Sequence, residues 1–599
     1  MQANQDTTCI LIILIKTEYH FMKLTDTIAR TLKEYKIKHV FGLQGGAAVH
    51  IFDSLEKNKI GVTYTNHEQS AALAAVAYAK AANHIGCVVV TTGPATTNTM
   101  TGLLSAWQDS VPCIFISGQS RSQHTSYGKK VRQVGTQEVN ICDIVRPITK
   151  YVKFIDNKDT FLDELNKAIT IANSGRKGPV WIDLPLEFQW ADISLKKKKI
   201  PQKTIKFKNL KLSLFNNLVK KSKKPLFIIG YGVRSSKNAH IELKKTFSKK
   251  NIPFVTTWNA YDLFSTNDKM NLGLIGMSGH RGANKAVFES DLLICLGTHL
   301  SIPHTTTLFD DFAPNSKKII INIDRDQLKN LNVKFDLKIN SDLNYFLKKI
   351  NKDKTILFNN EWNNLSYLKK INWYYPKEKN SINSNTVMRE VTKEIKSKKC
   401  IILDGGGTAL YTGFQSSVIN KDDRIICSSA ISSMGTGLAE TIGVSKSRNF
   451  KKLICLIGDG SFLMNIQDLQ TISQDKINVL IIVVNNNGYL AIRNTQKEFL
   501  KARYYGTHPK WKLTMPNFEK VSKAFNLKYF KFKRYEDFKQ NIKKIKNLNG
   551  PIVCELFVDE NQEPLFKQGY KSNNNGTFSP QPLSEMYPFL NSPIANTNN

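Results

Sequence analysis

The sequence lacks a long apolar run. Its 599 residues contain nothing near the ~18 consecutive apolar residues of a transmembrane helix, and the longest candidate is residues 9–15. That segment has no basic residues before it and no small-residue cleavage site after it. An integral membrane protein is therefore excluded, and a signal peptide is not predicted. We expect residues 1–21 to be a disordered extension, or one that precedes the true start of translation, because an amphipathic segment begins at Met22.

Paired cysteines are also missing. The nine cysteines are odd in number and include no CxxC pair. Most lie in apolar, strand-like segments such as residues 87–90. This pattern argues against a disulfide framework or a zinc site, and it predicts buried, reduced thiols in a cytoplasmic protein.

Acidic residues are few. There are 49 of them against 85 lysines and arginines, which gives a net charge of +36. Such an excess raises the question of a nucleic-acid or anionic-membrane partner. However, the lysines are scattered along the chain, and no zinc-finger spacing, RRM signature or arginine-rich arm is present. We therefore predict a solvated basic surface, with neither nucleic acid nor membrane as a partner.

Helix and strand signals alternate along most of the chain, which predicts parallel α/β layers. Strand-like segments include residues 87–91, 113–117, 292–296 and 479–484. We predict three domains, at residues 22–192, 205–350 and 385–560. A basic linker that includes residues 196–199 would join the first two. Residues 351–384 would form a surface connection, and residues 561–599 a tail.

The strongest chemical motif lies in the third of these domains. Residues 453–458 form an apolar strand that ends in a glycine turn, which exposes Asp459 at the carboxyl end of the strand. The next strand, residues 479–484, is followed by Asn486 and Gly488. Neighbouring parallel strands would bring these positions together. One carboxylate, one amide oxygen and one backbone carbonyl suit Mg²⁺, but only if the oxygens of a diphosphate complete its shell.

This pair of motifs resembles the signature of thiamine-diphosphate enzymes. Further segments resemble acetolactate synthase large subunits in family order: residues 40–47, 66–69, 91–98, 116–119, 137–138, 146–147, 434–437 and 458–465. The resemblance implies an α/β fold of three doubly wound parallel-sheet domains: pyrimidine-binding, central and diphosphate-binding. It also implies thiamine diphosphate as cofactor, with Mg²⁺ held by Asp459, Asn486 and the Gly488 carbonyl.

The resemblance also implies roles for residues outside the metal site. Glu68 would bond a ring nitrogen of the cofactor's pyrimidine and so start the chemistry, and its position in an alanine-rich helix predicts that it is buried. Gln137, Gly45 and Gly46 would line the substrate side. Met434 would hold the cofactor bent. The remaining cofactor contacts would be Gly406, Gly407, Thr408, Ser432, Gly460, Ser461, Tyr489 and Leu490.

Three departures from the family pattern affect the expected activity. Residues 299–303 replace a charged stretch that contacts FAD in the family, and Tyr261 replaces a lysine. Residues 490–496 replace a run whose tryptophan shapes the acceptor pocket. We therefore predict weak or absent FAD binding and an altered substrate pocket.

The predicted function is an acetolactate synthase-like carboligase that acts on pyruvate or another 2-ketoacid, as a homodimer or homotetramer. The main alternative is a 2-ketoacid decarboxylase that releases an aldehyde. A non-catalytic paralogue and a basic nucleic-acid-binding protein are disfavoured, because Glu68 and the metal ligands are present and no basic patch is localised. The resemblance leaves the donor, the acceptor and any regulatory subunit open.

Overall fold

The computed structural model describes residues 21–194, 207, 210–374, 376, 382–447, 449–573 and 578–590. The predicted extension lies outside the described residues except for Phe21, as does the basic run at 196–199. Three six-stranded sheets form the body of the chain, and all their strand pairs are parallel. The predicted fold class is confirmed.

The first sheet has the strand order β3-β2-β4-β5-β7-β6, and β1 pairs separately with β8. Its strands are β1 Phe21–Lys23, β2 His39–Gly42, β3 Gly61–Tyr64, β4 Gly86–Val90, β5 Cys113–Gln119, β6 Tyr151–Phe154, β7 Val180–Pro185 and β8 Asp192–Ser194. Its helices are α1 Leu24–Glu34, α2 Val49–Lys57, α3 Glu68–Ala82, α4 Pro94–Asn98, α5 Met100–Gln108, α6 Ile141–Val145, α7 Phe161–Asn173 and α8 Leu186–Gln189.

The second sheet has the order β11-β10-β9-β12-β13-β14. Its strands are β9 Pro225–Ile229, β10 Phe254–Thr256, β11 Asn271–Leu274, β12 Leu292–Leu296, β13 Lys317–Asn322 and β14 Leu337–Asn340. Its helices are α9 Leu212–Lys221, α10 Gly232–Ser235, α11 Ala239–Lys250, α12 Arg281–Glu289, α13 Ile302–Thr305, α14 Arg325–Lys329 and α15 Leu343–Lys352.

The connection after this sheet differs from its prediction as a surface segment. It contains the helix α16 Leu365–Lys370, and Trp362 and Leu368 are buried in the core of the second sheet. The Trp362 indole Nε1 donates to the Pro225 carbonyl at 3.1 Å. The polar residues between these two side chains hide any apolar period, so the sequence pattern does not reveal the packing.

The third sheet has the order β16-β15-β17-β18-β20-β19. Its strands are β15 Lys399–Leu403, β16 Arg424–Ile426, β17 Lys452–Gly458, β18 Val479–Asn485, β19 Lys528–Phe532 and β20 Ile552–Phe557. Its helices are α17 Ser384–Glu394, α18 Gly407–Ser416, α19 Thr436–Lys446, α20 Asp459–Met464, α21 Asp468–Gln474, α22 Leu490–Phe499, α23 Phe518–Ala524 and α24 Tyr535–Ile545. Short strands follow at β21 Lys567–Gln568, β22 Tyr570–Ser572, β23 Phe578–Pro580 and β24 Met586–Tyr587.

The first and third sheets are joined through α3 and α19. The small residues of α3 allow close packing: a Cβ on Gly443 of α19 would lie 1.9 Å from the Ala74 carbonyl oxygen. A buried ion pair adds to this interface, with Lys80 Nζ 2.7 Å from the Asp109 carboxylate and 2.6 Å from the Cys427 carbonyl oxygen. The alanine-rich segment therefore forms an interface between domains.

Two further observations concern the described residues alone. Their eight cysteines are all free and buried. None of their helices is both long and apolar enough to cross a membrane.

Candidate active site

Each of the three sheets has a central pair of strands whose following connections lead in opposite directions, and the loops diverge there to leave a crevice at the carboxyl ends of the strands. These pairs are β2 and β4, β9 and β12, and β15 and β17. The residues that the sequence singles out are concentrated at the first and third of these crevices.

Asp459 lies at the third crevice, immediately after β17. Its side chain is 1% exposed. One carboxylate oxygen accepts the backbone N–H groups of Asn486 at 3.2 Å and Gly488 at 2.9 Å, and the other accepts that of Gly460 at 2.8 Å. Burial raises the pKa of Asp459 to about 6, although the three N–H donors act in the opposite direction. The carboxylate therefore ties together the loops that follow β17 and β18.

Asn486 presents a buried polar atom without a partner. Its side-chain Oδ1 is buried and accepts no hydrogen bond. Leaving such an acceptor unpaired costs about 1–3 kcal/mol, so this atom is suited to a ligand. Gly488 beside it has φ +127°, and a Cβ there would lie 2.3 Å from the Thr507 carbonyl oxygen, so only glycine fits.

The oxygen donors of this loop match the preferences of a hard divalent cation. Among the described residues, no group of three or more His, Cys, Asp or Glu side chains is placed to hold a metal ion. Asp459, Asn486 and the Gly488 carbonyl therefore fit a metal whose shell is completed by another molecule, such as a diphosphate.

A second strand end is followed by a glycine-rich loop and the start of a helix. β15 ends at Leu403, and α18 begins at Gly407 after an N-cap glycine, Gly406, which offers no capping side chain. The first-turn N–H groups, which include that of Thr408, are therefore open to an anion at the positive end of the helix dipole. Gly407 has φ +50°, in the left-handed region.

Met434 packs directly against this loop. A Cβ on Gly406 would lie 2.3 Å from Met434 Cγ, so the glycine is needed for the contact. Ser432, two residues earlier, points elsewhere: it is exposed, and its hydroxyl donates to the Ser429 carbonyl at 2.9 Å. Both serines line a cavity at the second crevice.

Asp404 is a site residue that the sequence analysis missed. It follows β15 directly and is fully buried, and its carboxylate accepts the backbone N–H groups of Gly437 at 3.1 Å and Gly406 at 3.3 Å. Burial raises its pKa to about 6, and a hydrogen bond from Ser461 opposes that shift. An acidic residue immediately after an apolar strand was the available signal, the same one that identified Asp459.

The loop after β18 is enclosed by Tyr489, Leu490 and Arg493. The Tyr489 ring covers Gly460, where a Cβ would lie 2.0 Å from the ring, and Leu490 is buried. Arg493, which the sequence analysis noted only as a departure, is 4% exposed. Its guanidinium donates to four carbonyl oxygens, at residues 486 (2.7 Å), 487 (3.2 Å), 507 (3.0 Å) and 560 (3.0 Å). It therefore clamps the loop that carries Asn486.

The first crevice contains Glu68. This residue begins α3 and is half-buried, whereas its alanine-rich context predicts full burial. Its carboxylate accepts a hydrogen bond from the Asn98 side-chain amide at 3.0 Å. That amide belongs to the last residue of α4, so the loop after β4 orients the glutamate.

The same loop holds the predicted substrate-side residues. Gln137 is exposed with φ +60°, and its carbonyl accepts the Thr92 hydroxyl at 3.3 Å. Gly45 lies against Thr91, whose Cγ2 would be 2.4 Å from a Cβ there, and Gly46 is exposed. Residues 91–98 therefore connect Gly45, Gln137 and Glu68 around one crevice.

Within one chain, no described hydrogen bond joins Glu68 of the first crevice to the residues of the third crevice. The described hydrogen bond of Glu68 is with Asn98 of its own domain. The following residue, Gln69, accepts a hydrogen bond from Asn465 at 3.2 Å, which lies beyond the end of α20 rather than at the metal loop. The intrachain contact thus joins the domains without bringing Glu68 into a described contact with Asp459 or Asn486.

Three family models match this chain. Residues 22–144 match the N-terminal TPP binding domain of thiamine pyrophosphate enzymes, residues 214–350 their central domain, and residues 405–556 their C-terminal TPP binding domain. The chain therefore belongs to the thiamine pyrophosphate enzyme family and is a thiamine diphosphate-dependent enzyme.

Within that family the chain is acetolactate synthase-like. It is 30% identical over 572 residues to the acetolactate synthase large subunit of Cyanidium caldarium, covering 91% of this chain and 94% of the relative. It is 31% identical over 580 residues to that of Buchnera aphidicola subsp. Schizaphis graminum (strain Sg), covering 91% and 96%. It is 27% identical over 551 residues to the isozyme 2 large subunit of Escherichia coli (strain K12), covering 90% and 97%.

Proposed function

We propose that the chain is a Mg²⁺- and thiamine diphosphate-dependent carboligase that decarboxylates pyruvate or another 2-ketoacid and joins the remaining fragment to an acceptor. The observation that carries this proposal is the unpaired Asn486 Oδ1, held beside the Asp459 carboxylate. The uncapped start of α18 lies near the helix that follows the same loop, since a Cβ on Gly407 would be 3.4 Å from Ala491 Cβ. Thiamine diphosphate supplies a nucleophilic carbon and an electron sink for decarboxylation.

The third domain holds the phosphate end of the cofactor. Asp459, Asn486 and the Gly488 carbonyl would hold Mg²⁺, and the amides at the start of α18 would hold the diphosphate, as the resemblance implies. Arg493 keeps the Mg²⁺ loop in place through its bonds to backbone carbonyls. Met434, packed on Gly406, would support the cofactor, as the resemblance implies.

The first domain would supply the group for proton transfer and the residues that contact the substrate. The Glu68 carboxyl would be the group that shares a proton with the cofactor's pyrimidine ring, and the Asn98 amide orients that carboxyl. Gln137 and the loop at Gly45 and Gly46 face the reacting carbonyl. The first and third domains thus have different tasks, one of proton transfer and one of anchoring.

We propose a homodimer as the smallest active unit, with the first domain of one chain facing the third domain of its partner. The absence of a described hydrogen bond between Glu68 and the metal loop within one chain supports this arrangement. The test mixes Glu68→Gln and Asp459→Ala chains under conditions of subunit exchange. We expect recovery of about a quarter of wild-type activity, since half of the chains form mixed pairs with one intact site each. No recovery, despite verified exchange, would contradict the shared site.

FAD is not required in this proposal. The glycine turn that resembles an FAD-contacting loop uses its own amides: Gly276 N–H donates to Asn284 at 2.8 Å, and Met277 N–H donates to the Pro303 carbonyl at 2.9 Å. A Cβ on Gly276 would lie 2.2 Å from that same Pro303 oxygen, so the glycine serves close backbone packing. Burial lowers the pKa of His304, which directly follows the replaced stretch, to about 3, so its ring is neutral. These residues do not fit a dinucleotide pyrophosphate.

We place the protein in the cytoplasm, a reducing compartment that fits its buried free cysteines. Because the similar proteins are named large subunits, we also propose that a second, smaller chain associates with this one.

The second candidate function is a decarboxylase that releases an aldehyde. The observation in its favour is that α22 contains residues 490–496, which replace the family run whose tryptophan shapes the acceptor pocket. The test incubates the enzyme, thiamine diphosphate and Mg²⁺ with a panel of 2-ketoacids and identifies products by mass spectrometry. Ligated products such as acetolactate support the carboligase. Free aldehyde alone would support the decarboxylase, and no turnover of any 2-ketoacid would contradict both.

A further inference from the structure

A separate cavity of about 690 Å³ lies between the second and third domains. We call it the interdomain cavity. Its wall is formed by Tyr261, residues near β11, the end of α16, one face of α17 and the end of α18. None of the metal, phosphate-loop or substrate-side residues described above contributes to it.

The charge of this lining is entirely positive. Lys369, Arg389, Lys393 and Lys396 contribute to the wall, and the described lining residues include no aspartate or glutamate. Arg389 and Lys393 are four residues apart on α17 and so lie on one face of that helix. The nearby Glu394 carboxylate is paired with Lys546 at 2.8 Å instead. The cavity therefore concentrates cations without matching carboxylates.

Two polar atoms of the wall have unused hydrogen-bonding capacity. Arg389 Nε and Ser417 Oγ are buried and have no hydrogen-bond partner. The Arg389 guanidinium carbon lies 4.2 Å from the centroid of the Trp373 ring, which holds the planar group in place. The positive charge of Arg389 helps to lower the pKa of His280, which burial brings to about 4, so this histidine of the wall is neutral. A fixed guanidinium without a carboxylate is a preformed anion receptor.

We propose that the interdomain cavity binds a phosphorylated small molecule of nucleotide size, with its phosphate on Arg389 and Lys393. The volume falls in the ~300–1,000 Å³ range of small-molecule sites and exceeds the needs of inorganic phosphate alone. The planar guanidinium favours phosphate oxygens, the exposed Lys393 and Lys396 stand where a charged ligand enters, and the Tyr261 and Trp373 rings offer apolar surface for the remainder. Such a ligand would bridge two domains. The inference does not depend on which reaction the active site performs.

The experiment measures ADP and inorganic pyrophosphate binding by calorimetry, on full-length protein saturated with thiamine diphosphate and Mg²⁺. Because thiamine diphosphate then occupies the loop at the start of α18, neither probe can bind there. We expect one ADP per chain, bound more tightly than pyrophosphate. Arg389→Met should weaken ADP binding by about tenfold or more, because a charge-assisted contact is lost.

The double variant Lys393→Gln/Lys396→Gln provides a second test, because both side chains are exposed and their replacement leaves the core intact. It should also weaken ADP binding. The matched control Lys33→Gln/Lys520→Gln makes the same charge change at exposed sites outside the cavity and should leave affinity unchanged. The proposal would be overturned by no ADP binding up to about 1 mM, or by equal affinities of the wild type and the double variant. Equal affinities would place any bound nucleotide elsewhere, for example at the second crevice.

Discussion

Arg493 gives the sharpest quantitative prediction, because its role rests on four hydrogen bonds to the backbone. Arg493→Met keeps an unbranched apolar stem but donates no hydrogen bond, so the carbonyls at residues 486, 487, 507 and 560 lose their shared donor. Charge-assisted bonds contribute ~1.5–3 kcal/mol each, but the freed loop can relax and admit water. We therefore expect the loss of Mg²⁺ affinity typical of groups that orient metal ligands, about 10- to 100-fold, or ~1.4–2.8 kcal/mol.

The assay titrates Mg²⁺ into protein with excess thiamine diphosphate and follows intrinsic tryptophan fluorescence, with thermal unfolding of each variant as a check on folding. Arg493→Lys retains the charge but not the planar fork, so we expect an intermediate loss. Arg281→Met is the matched control: this buried arginine donates to the Pro588 carbonyl in another part of the molecule, so its loss should lower Tm and leave Mg²⁺ affinity unchanged. A folded Arg493→Met variant with wild-type Mg²⁺ affinity would refute the clamp.

Three further predictions concern the cofactor site, a buried acid and the flavin content of the purified protein. Asp459→Ala should abolish thiamine diphosphate binding in calorimetry, because it removes a metal ligand and the acceptor of three loop amides. Tight binding of thiamine diphosphate to the wild type in excess chelator would contradict the role of the metal. Burial raises the pKa of Asp183 to about 7, so between pH 4 and 7 the folded state keeps a proton that the unfolded state releases. The contribution of this one group to stability therefore falls by ~1.4 kcal/mol per pH unit as pH rises. Asp183→Asn should flatten that slope in Tm measurements, and equal slopes would show that the aspartate is ionised. Protein purified without added flavin and then denatured should release no stoichiometric flavin, and a flavin absorbance equal to the protein concentration would show that the Gly276 turn was misread.

Local signals were enough to locate much of the candidate site. Asp459 and Asn486 each follow an apolar strand at a glycine-rich turn, and such turns expose polar residues at strand ends whatever the rest of the fold does. The adjacency of the two strands followed from the expectation of a parallel sheet. β17 and β18 are indeed neighbours, with Gly458 opposite Val484.

The residues that sequence reasoning missed act over long separations. Arg493 reaches the carbonyl of residue 560, and Asp404 accepts the N–H of Gly437, 33 residues away. No local pattern encodes such contacts, although the position of Asp404 directly after an apolar strand was a local signal that it belongs to the site. Trp362 and Leu368 were missed for a related reason. Single apolar residues in a polar segment show no periodic pattern, and their burial depends on packing against the second sheet. Full burial of Glu68 was expected from its helix alone, whereas its exposure depends on what covers the first crevice.

The most direct test of the cofactor assignment uses no substrate. Proton exchange at the reactive thiazolium carbon of bound thiamine diphosphate is followed in deuterated buffer by quenched-flow NMR, for the wild type and for Glu68→Gln. The amide keeps the shape of the side chain and its contact with Asn98 but cannot share a proton with the pyrimidine ring. We expect exchange to be slower in the variant by at least the ~100-fold attributed to positioned proton-transfer groups, with cofactor binding retained. Equal exchange rates in the two proteins would contradict the assignment of Glu68 and the chemistry built on it.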